Sequence, residues 1–433
     1  MQDVAIASKG EVGIIFLMLS RFKGYLSREN KNAVIVLAGT ALNALVGGLF
    51  FIAAPRLVGP ENYGLFAVVL STGIMVSTFA NLGVDAGILR FASGPESAKR
   101  QKVLKLAFYS YLVIGLAIFF LGFLLAKPLA EFFGDVGLTS LFEIAFFGSI
   151  VLLLTSFFTA TLQASQKFMQ ATIVSLSSNI ARIVILLIAA YFYSVNLYFL
   201  TVLFFFVPIV SIITGRIFMP LDFLKVKGHE TEFKSFFGFN LWIAASLAIA
   251  SFPIDNYLLL KFAGPVATGI YAAPFKLLSV VDQLAGNYSR VLAQKMGSLE
   301  KNSRVIYLLK NTAPIAILVA VGFLILALLS PFIVNLLLGK SYLQSIPVFA
   351  IIAVSSAFTF ITAVPASLTL YYFKDPKASF YITAAIVVFW ILSSFLLIPS
   401  YAQIGASIAY LLTEVWSFLL FSGFVLYKFR NNN

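Results

Sequence analysis

Five ionisable side chains lie within long apolar stretches of this sequence: Arg182, Asp255, Lys276, Asp282 and Glu414. A charged group in hydrocarbon is costly, so such residues normally face a partner, a water-filled cavity or a ligand. A guanidinium group binds two oxygens of an anion at once, whereas an ammonium group acts as a point charge. We therefore expect Arg182 and Lys276 to contact an anionic ligand, and Asp255 and Glu414 are candidates for a proton or sodium site.

Polar side chains accompany both cationic residues at helical spacing, which places each set on one face of a helix. The two stripes are Ser175, Ser178, Asn179 and Arg182, and Lys276, Ser279, Gln283, Asn287 and Arg290. Such stripes must face protein or water rather than lipid. Hydrogen bonding between helices is the alternative to ligand binding. An ion pair of Lys276 with Asp255 or Asp282 would be the simplest neutral arrangement.

The composition excludes most other chemistry. Of the 433 residues, 61% are hydrophobic and 11% are charged, whereas a soluble domain has roughly a quarter charged residues. There are no cysteines and His229 is the single histidine, so thiolate and histidine-cluster metal sites are excluded. The sequence contains no phosphate-binding loop and no metalloprotease or esterase motif. We therefore expect a membrane protein that is not an enzyme and has no cofactor.

Twelve stretches are long and apolar enough to cross a bilayer as helices, which takes about 20 residues each. They are 33–55, 64–84, 106–126, 144–162, 171–193, 197–215, 239–260, 269–288, 312–331, 346–372, 378–399 and 404–427. We predict an all-α polytopic membrane protein with two pseudo-symmetric bundles of six helices around a central cavity. The predicted divisions are an interfacial N-terminal segment at 1–32, bundles at 33–218 and 239–427, a linker at 219–238 and a tail at 428–433.

The lysines and arginines predict the orientation in the membrane. With both ends in the cytosol, 24 of the 30 lie in inner segments, four lie in outer segments and two lie within spans. This distribution follows the positive-inside rule. The net charge of +13 therefore arises from the basic inner segments, which orient the spans and contact anionic lipids. We expect no nucleic-acid partner. We predict a multi-pass protein of the cytoplasmic membrane.

A short internal repeat indicates that the chain is duplicated. Residues 59–67 read GPENYGLFA and residues 264–272 read GPVATGIYA, so Gly59 matches Gly264 and Gly64 matches Gly269 at an offset of 205. Arg56 falls opposite Lys261 at the same offset. Each block lies between the first two predicted spans of a half, so the halves are parallel copies. Parallel repeats with a site at their interface are typical of transporters.

These segments also resemble a known family. The run from Arg56 to Phe66, followed by Asn81-Leu82-Gly83 and Arg90-Phe91-Ala92, resembles the first hairpin of polysaccharide exporters. The run from Asp255 to Leu260, followed by Gly269-Ile270-Tyr271, resembles their seventh helix. These exporters are lipid-linked oligosaccharide flippases of the multidrug/oligosaccharidyl-lipid/polysaccharide (MOP) superfamily. The resemblance implies a two-bundle flippase that carries polyprenyl-diphosphate-linked glycans from the inner to the outer leaflet by alternating access.

The resemblance gives the charged residues expected roles. The expected contacts with the diphosphate and sugars are Arg90, Arg182, Lys276, Gln283 and Arg290, and the candidates for proton or sodium coupling are Asp255 and Glu414. Expected partners are membrane lipids, the lipid-linked glycan and glycan-assembly enzymes. Two alternatives remain open: a multidrug/cation antiporter of the same superfamily, which would use the carboxylates, and a non-transporting scaffold of a glycan-assembly complex. Arg56 and Lys261 are either interfacial anchors or contacts on the release side.

Overall fold

The structure, a computed structural model, describes residues 28–93, 97–226, 245, 248–297 and 316–431. Most of the predicted N-terminal segment at 1–32 lies outside these ranges, as do His229 and most of the predicted linker at 219–238. Every regular element within the described ranges is helical. The all-helical fold class is therefore confirmed for this part of the chain.

Within these ranges twelve helices can be distinguished, and short 3₁₀ turns precede the helices that begin at Thr139 and Ser345. In chain order they are α1 (Arg28–Asn81), α2 (Val84–Phe91), α3 (Ala98–Phe133), α4 (Thr139–Ala164), α5 (Phe168–Phe192), α6 (Leu197–Phe206), α7 (Ile209–Phe218), α8 (Ile254–Gly297), α9 (Ala316–Leu328), α10 (Ser330–Leu337), α11 (Ser345–Ser367) and α12 (Pro376–Asn431).

Within the described residues, eight helical stretches are long and apolar enough to cross a membrane, or nine if the bent pair α9 and α10 counts as one span. Three of these helices are far longer than one span requires: α1 has 54 residues, α8 has 44 and α12 has 56. Each is interrupted by one residue with non-helical backbone angles, namely Gly59, Gly264 and Ala402. A multi-span protein is confirmed, and the number twelve stays a prediction.

The three interruptions all fall between neighbouring predicted spans. Gly59 has φ of 74° and Gly264 has φ of 81°, values that glycine adopts without the steric cost that a Cβ would add. Two of the helices, α1 and α8, therefore each have two arms: 28–58 and 60–81 in α1, and 254–263 and 265–297 in α8. A proline follows both glycines, where it starts the second arm without needing a backbone donor.

The second arms of α1 and α8 cross in direct backbone contact. A Cβ atom added to Gly64 would overlap the backbone oxygen of Pro265, and one added to Gly269 would overlap the backbone oxygen of Pro60. Each of the two matched glycines therefore packs against the backbone of the other repeat. Small residues let helix backbones approach closely where lipid offers no hydrophobic driving force, and the largest buried cluster includes residues of both α1 and α8.

Candidate functional site

Arg182 of α5 is buried between α1 and α6, with only 6% of its surface exposed. Its Nη1 donates to Asn179 Oδ1 at 2.8 Å and its Nη2 donates to the Phe204 backbone oxygen at 3.1 Å. The guanidinium carbon lies 4.3 Å from the centre of the Phe204 ring and 5.6 Å from that of Phe50. The arginine is thus held by neutral oxygens and two aromatic faces, which attract a cation through the ring quadrupole.

The neighbouring amides extend this group towards the first arm of α1. Asn179 Nδ2 donates to Asn43 Oδ1 at 2.9 Å, so Asn43, Asn179 and Arg182 form a hydrogen-bonded chain. Gly39 and Gly47 leave room for it, because a Cβ on either would press against Thr172 or Asn179 of α5. The sequence analysis missed Asn43. Its spacing of four residues from both glycines is the signal that places all three on one face of α1.

Within the part of the chain that the structure describes, no acidic side chain neutralises the charge of Arg182. Among the described residues, no carboxylate lies within 4 Å of its guanidinium, and its Nε has no hydrogen-bond partner. A buried cation without a counter-charge is energetically costly. This position therefore favours an anion and disfavours a second cation.

A second group lies on α8. Asp255 is 5% exposed, and its carboxylate accepts hydrogen bonds from the Tyr271 hydroxyl at 2.6 Å and from the Asn256 backbone N–H at 2.8 Å. Lys276, on the second arm of α8, is close enough for an attractive electrostatic interaction with Asp255. Unlike Arg182, Lys276 therefore has an acidic residue in its surroundings.

The second candidate carboxylate, Glu414, is half-buried on α12. It lies one helical turn beyond Tyr410, whose ring is 5.2 Å from that of Phe275. The Phe275 ring in turn stacks on Tyr271 at 5.6 Å, and Tyr271 binds Asp255. Asp255 is thus bonded to an aromatic group that joins α8 and α12, and Glu414 lies one helical turn from Tyr410, the member of that group on α12.

The remaining predicted contacts lie on other helices than Arg182. Arg90 is exposed at the end of α2, where its guanidinium lies 5.3 Å from the centre of the Phe91 ring. Gln283 and Arg290 lie in α8, but their side chains are outside the described part of the structure. Their roles, and those of Arg90, Arg182 and Lys276, stay predictions.

Asp85 of α2 is an acidic residue that the sequence analysis passed over. Its carboxylate accepts from Asn81 Nδ2 at 2.7 Å, from the Tyr111 hydroxyl at 2.8 Å and from the Ser156 hydroxyl. The residue therefore links α1, α2, α3 and α4 rather than facing an open cavity. A single Asp at the end of a predicted span carries no sequence signal for this arrangement.

Neutral hydrogen bonds also tie the two repeats together. Asn256 Nδ2 donates to the Ser71 hydroxyl oxygen at 2.8 Å, and the hydroxyls of Tyr257 and Thr72 lie 2.7 Å apart. Each bond joins α8 to the second arm of α1. These four residues, also missed from the sequence, form the middle of the seam between the repeats.

An apolar groove lies beside this seam, between α1 and α3. It has a volume of about 650 Å³ and is lined mainly by hydrocarbon side chains, with Thr72 and Tyr257 among the few polar residues. Ala80, Ala117 and Phe132 line it from the first repeat, and Phe252 and Tyr257 line it from the region of α8. A groove of this size suits a flexible apolar chain rather than a sugar.

The comparisons with known proteins agree on family and fold. A family model described as "Polysaccharide biosynthesis protein" matches residues 30–293. No curated protein sequence matches the chain. A solved structure of the lipid II flippase MurJ in an inward closed conformation is 16% identical, with a TM-score of 0.72 over 90% of this chain and 87% of that one.

Two MATE transporters also share the fold. The MATE multidrug transporter DinF-BH is 15% identical, with a TM-score of 0.65 over 93% of this chain and 95% of that one. An inward-facing multidrug resistance MATE transporter of the MOP superfamily is 13% identical, with a TM-score of 0.61 over 90% and 97%. The chain thus shares its fold with MurJ and the MATE transporters, and the family match confirms the predicted resemblance to polysaccharide biosynthesis proteins.

Proposed function

Because this chain belongs to the polysaccharide biosynthesis protein family and has the MOP transporter fold, we propose that it is a flippase for polyprenyl-diphosphate-linked oligosaccharides or polysaccharide repeat units. It moves them from the inner to the outer leaflet of the cytoplasmic membrane by alternating access. Its working architecture is two bundles of six spans around a central cavity. Twelve spans are compatible with the described residues if each of the three interrupted helices is counted as two spans and the bent pair as one.

The observation that carries the proposal is the uncompensated positive charge of Arg182. A diphosphate offers the anionic oxygens that its guanidinium lacks in the described structure, and a planar guanidinium suits two such oxygens. Asn179 and Asn43 add amide groups along the same interface for sugar hydroxyls. In our proposal the anionic group binds here, inside the first predicted bundle, when α5 moves apart from α1 and α6 and the hydrogen bonds of Arg182 to Asn179 and Phe204 are exchanged for the cargo.

The apolar groove beside the seam supports a lipid-linked cargo. Both repeats line it, so relative movement of the bundles changes its shape. We place the polyprenyl chain in this groove while the diphosphate binds at Arg182. Asp255 and Glu414 are the proposed coupling site, where binding of a proton or sodium ion changes the charge beside Tyr271 and Tyr410.

The two alternatives predict different behaviour. A cation antiporter of the same superfamily would depend on Asp255 and Glu414, and the buried charge of Arg182 would repel its substrate. A scaffold of a glycan-assembly complex would tolerate replacement of Arg182 as long as the protein reached the membrane. Replacement of Arg182 therefore separates the flippase from both alternatives, and replacement of Asp255 or Glu414 separates the antiporter from the scaffold.

The test is transport in liposomes that contain the purified protein and a fluorescent polyprenyl-diphosphate sugar, with a quencher confined to one leaflet. The wild-type protein should move the probe between leaflets. Arg182→Gln should slow this movement about tenfold or more, because a hydrogen bond to a charged group contributes about 1.5–3 kcal/mol. Arg182→Lys should retain part of the activity, because it keeps the charge but loses the two-oxygen geometry.

Lys127→Gln is the matched control, since Lys127 is an exposed cation that lies 3.8 Å from the Glu131 carboxylate on the same helix. It should leave movement of the probe unchanged. Wild-type rates for Arg182→Gln would contradict the proposal. Transport of a lipophilic cation with no movement of the diphosphate probe would favour the antiporter instead.

A further inference from the structure

Arg56 and Lys261, matched across the repeat, make equivalent contacts. Arg56 Nη2 donates to the backbone oxygen of Leu336, in the last turn of α10. Lys261 Nζ donates to the backbone oxygen of Phe132, in the last turn of α3, and lies 4.8 Å from the centre of the Phe132 ring. Each cation therefore binds the carboxyl end of a helix that belongs to the other repeat.

The two helix ends are themselves equivalent. The helix α3 ends before Gly134 with φ of 79°, and α10 is followed closely by Gly339 with φ of 87°. These glycines are 205 residues apart, the same offset that relates Gly59 to Gly264. Left-handed glycines commonly end helices, and the last carbonyl groups of a helix have no partner within the helix, so they can accept from other donors. A helix carboxyl end also carries partial negative charge, which favours a cation.

Each acceptor helix lies in the opposite predicted bundle from its cation. Arg56 follows the first predicted span, in the first arm of α1, and reaches α10, whereas Lys261 lies in the first arm of α8 and reaches α3. Gly339 lies beside Arg56, since a Cβ there would be in ordinary van der Waals contact with Arg56 Nε at 3.9 Å. The two bonds thus cross the boundary between the bundles in opposite directions.

A third contact closes the same end of the seam. The Tyr342 hydroxyl donates to the backbone oxygen of Pro55 at 3.3 Å. Burial, with a smaller contribution from Tyr63, raises the pKa of Tyr342 well above its ordinary value, so the phenol stays a neutral donor. Together with the crossing at Gly64 and Gly269, these contacts close the boundary at the face predicted to be extracytoplasmic.

We propose that Arg56 and Lys261 form a reciprocal latch: each cation holds the carboxyl end of a helix in the opposite bundle and so keeps the predicted outer face closed. This inference rests on the alternating access of the proposed function but not on the identity of the cargo. Opening towards the outer face requires both bonds to break. Both cations are exposed, so water replaces the helix carbonyl groups on release and the latch remains reversible.

This role differs from that of an interfacial anchor. An anchor interacts with lipid headgroups and needs no acceptor in the other bundle. A latch needs a matched acceptor, and both cations have one. Because the two bonds lie on separate helices, their effects on the opening equilibrium should multiply.

The experiment measures opening directly, without cargo. Ala67→Cys places a thiol at a position that is 1% exposed, on the second arm of α1 just beyond the crossing, in a chain with no other cysteine. A membrane-impermeant maleimide is added from the predicted outer side to intact cells. Arg56→Gln and Lys261→Gln should each raise the labelling rate about threefold, and the double variant about tenfold.

Arg56→Lys and Lys261→Arg should stay close to the parent rate, because both keep a charged donor. Lys127→Gln is the control for loss of a cation from the same face, and it should leave the rate unchanged. Ala272→Cys, the matched position in the second repeat, provides an independent probe. Unchanged labelling of both thiols in the double variant, or an equal rise in Lys127→Gln, would overturn the latch. If the double variant lost flipping but kept the parent labelling rate, the latch would be contradicted and the proposed function would not.

Discussion

At the scale of single residues, the two cations predicted within the spans have different surroundings. Arg182 is held only by neutral groups within the described structure, whereas Lys276 is attracted by Asp255. The residue types and their spacing were visible in the sequence for both. The difference arises because Asp255 and Lys276 lie on two arms of one broken helix, which brings them together, while α5 and its described neighbours offer Arg182 no carboxylate.

The charge of Arg182 can be neutralised by a substitution beside it that hardly changes the shape of the site. In Asn179→Asp, the new carboxylate can still accept from Nη1, and Asn43 can turn its amide to donate in place of accepting. We expect the thermal stability of the protein to be kept or raised, and transport of a diphosphate-linked probe to fall about tenfold, because the pair no longer attracts an anion.

Asn62→Asp is the control, since Asn62 is exposed and donates to the Val58 backbone oxygen near the break in α1. Thermal unfolding in detergent and the liposome assay check both halves of this prediction. If Asn179→Asp transported the anionic probe as fast as the wild-type protein, Arg182 would not be an anion contact.

At the scale of elements, the broken helices explain how the repeat segments act. The motif Gly-Pro-x-x-x-Gly combines a glycine that turns the chain, a proline that starts the next arm and a glycine that permits backbone contact. The two copies serve each other, since Gly64 packs on Pro265 and Gly269 packs on Pro60. The repeated motif, which indicates that the chain is duplicated, is therefore also the contact between the two halves.

Gly64→Ala and Gly269→Ala should each destabilise the protein by about 3 kcal/mol or more, because the added methyl group overlaps backbone that cannot rotate away. Gly423→Ala is the control: nothing lies within 4 Å of its Cβ position, and alanine is the better helix former there. Thermal unfolding followed by size-exclusion chromatography measures the effect. A melting temperature for Gly64→Ala equal to that of the wild-type protein would contradict the close crossing.

At the scale of the whole molecule, the seam between the repeats has zones of different chemistry. The predicted outer end combines charged donors with helix carboxyl ends, and the middle has the neutral pairs Asn256–Ser71 and Tyr257–Thr72. The apolar groove opens beside the middle zone. A movement that opens one end of the seam therefore also changes the groove, which couples the lipid chain of the proposed cargo to the state of the bundles.

Filling the groove should slow transport without harming the fold. Ala117→Trp adds a large ring to an exposed position that lines the groove, whereas Val113→Trp adds the same ring to a position on α3 that is 70% exposed and does not line it. We expect Ala117→Trp to slow movement of a polyprenyl-diphosphate probe several-fold, with a smaller effect for a short-chain analogue. Equal rates for the two variants would place the lipid chain elsewhere.

The sequence determined the class of molecule, the places where long helices break and the existence of the repeat. These properties follow from local terms: hydropathy over about 20 residues, and the backbone freedom of glycine at Gly59 and Gly264. The number of spans, the orientation and the bundle boundaries stay predictions.

Only the tertiary structure decided which groups meet. Arg56 and Lys261 bind helix ends that lie 280 and 129 residues away in the chain. Asn43 of α1 binds Asn179 of α5. Backbone carbonyl acceptors have no signature in the sequence, because every residue carries one. Whether one is free depends on where its helix ends and on which bundle packs beside it.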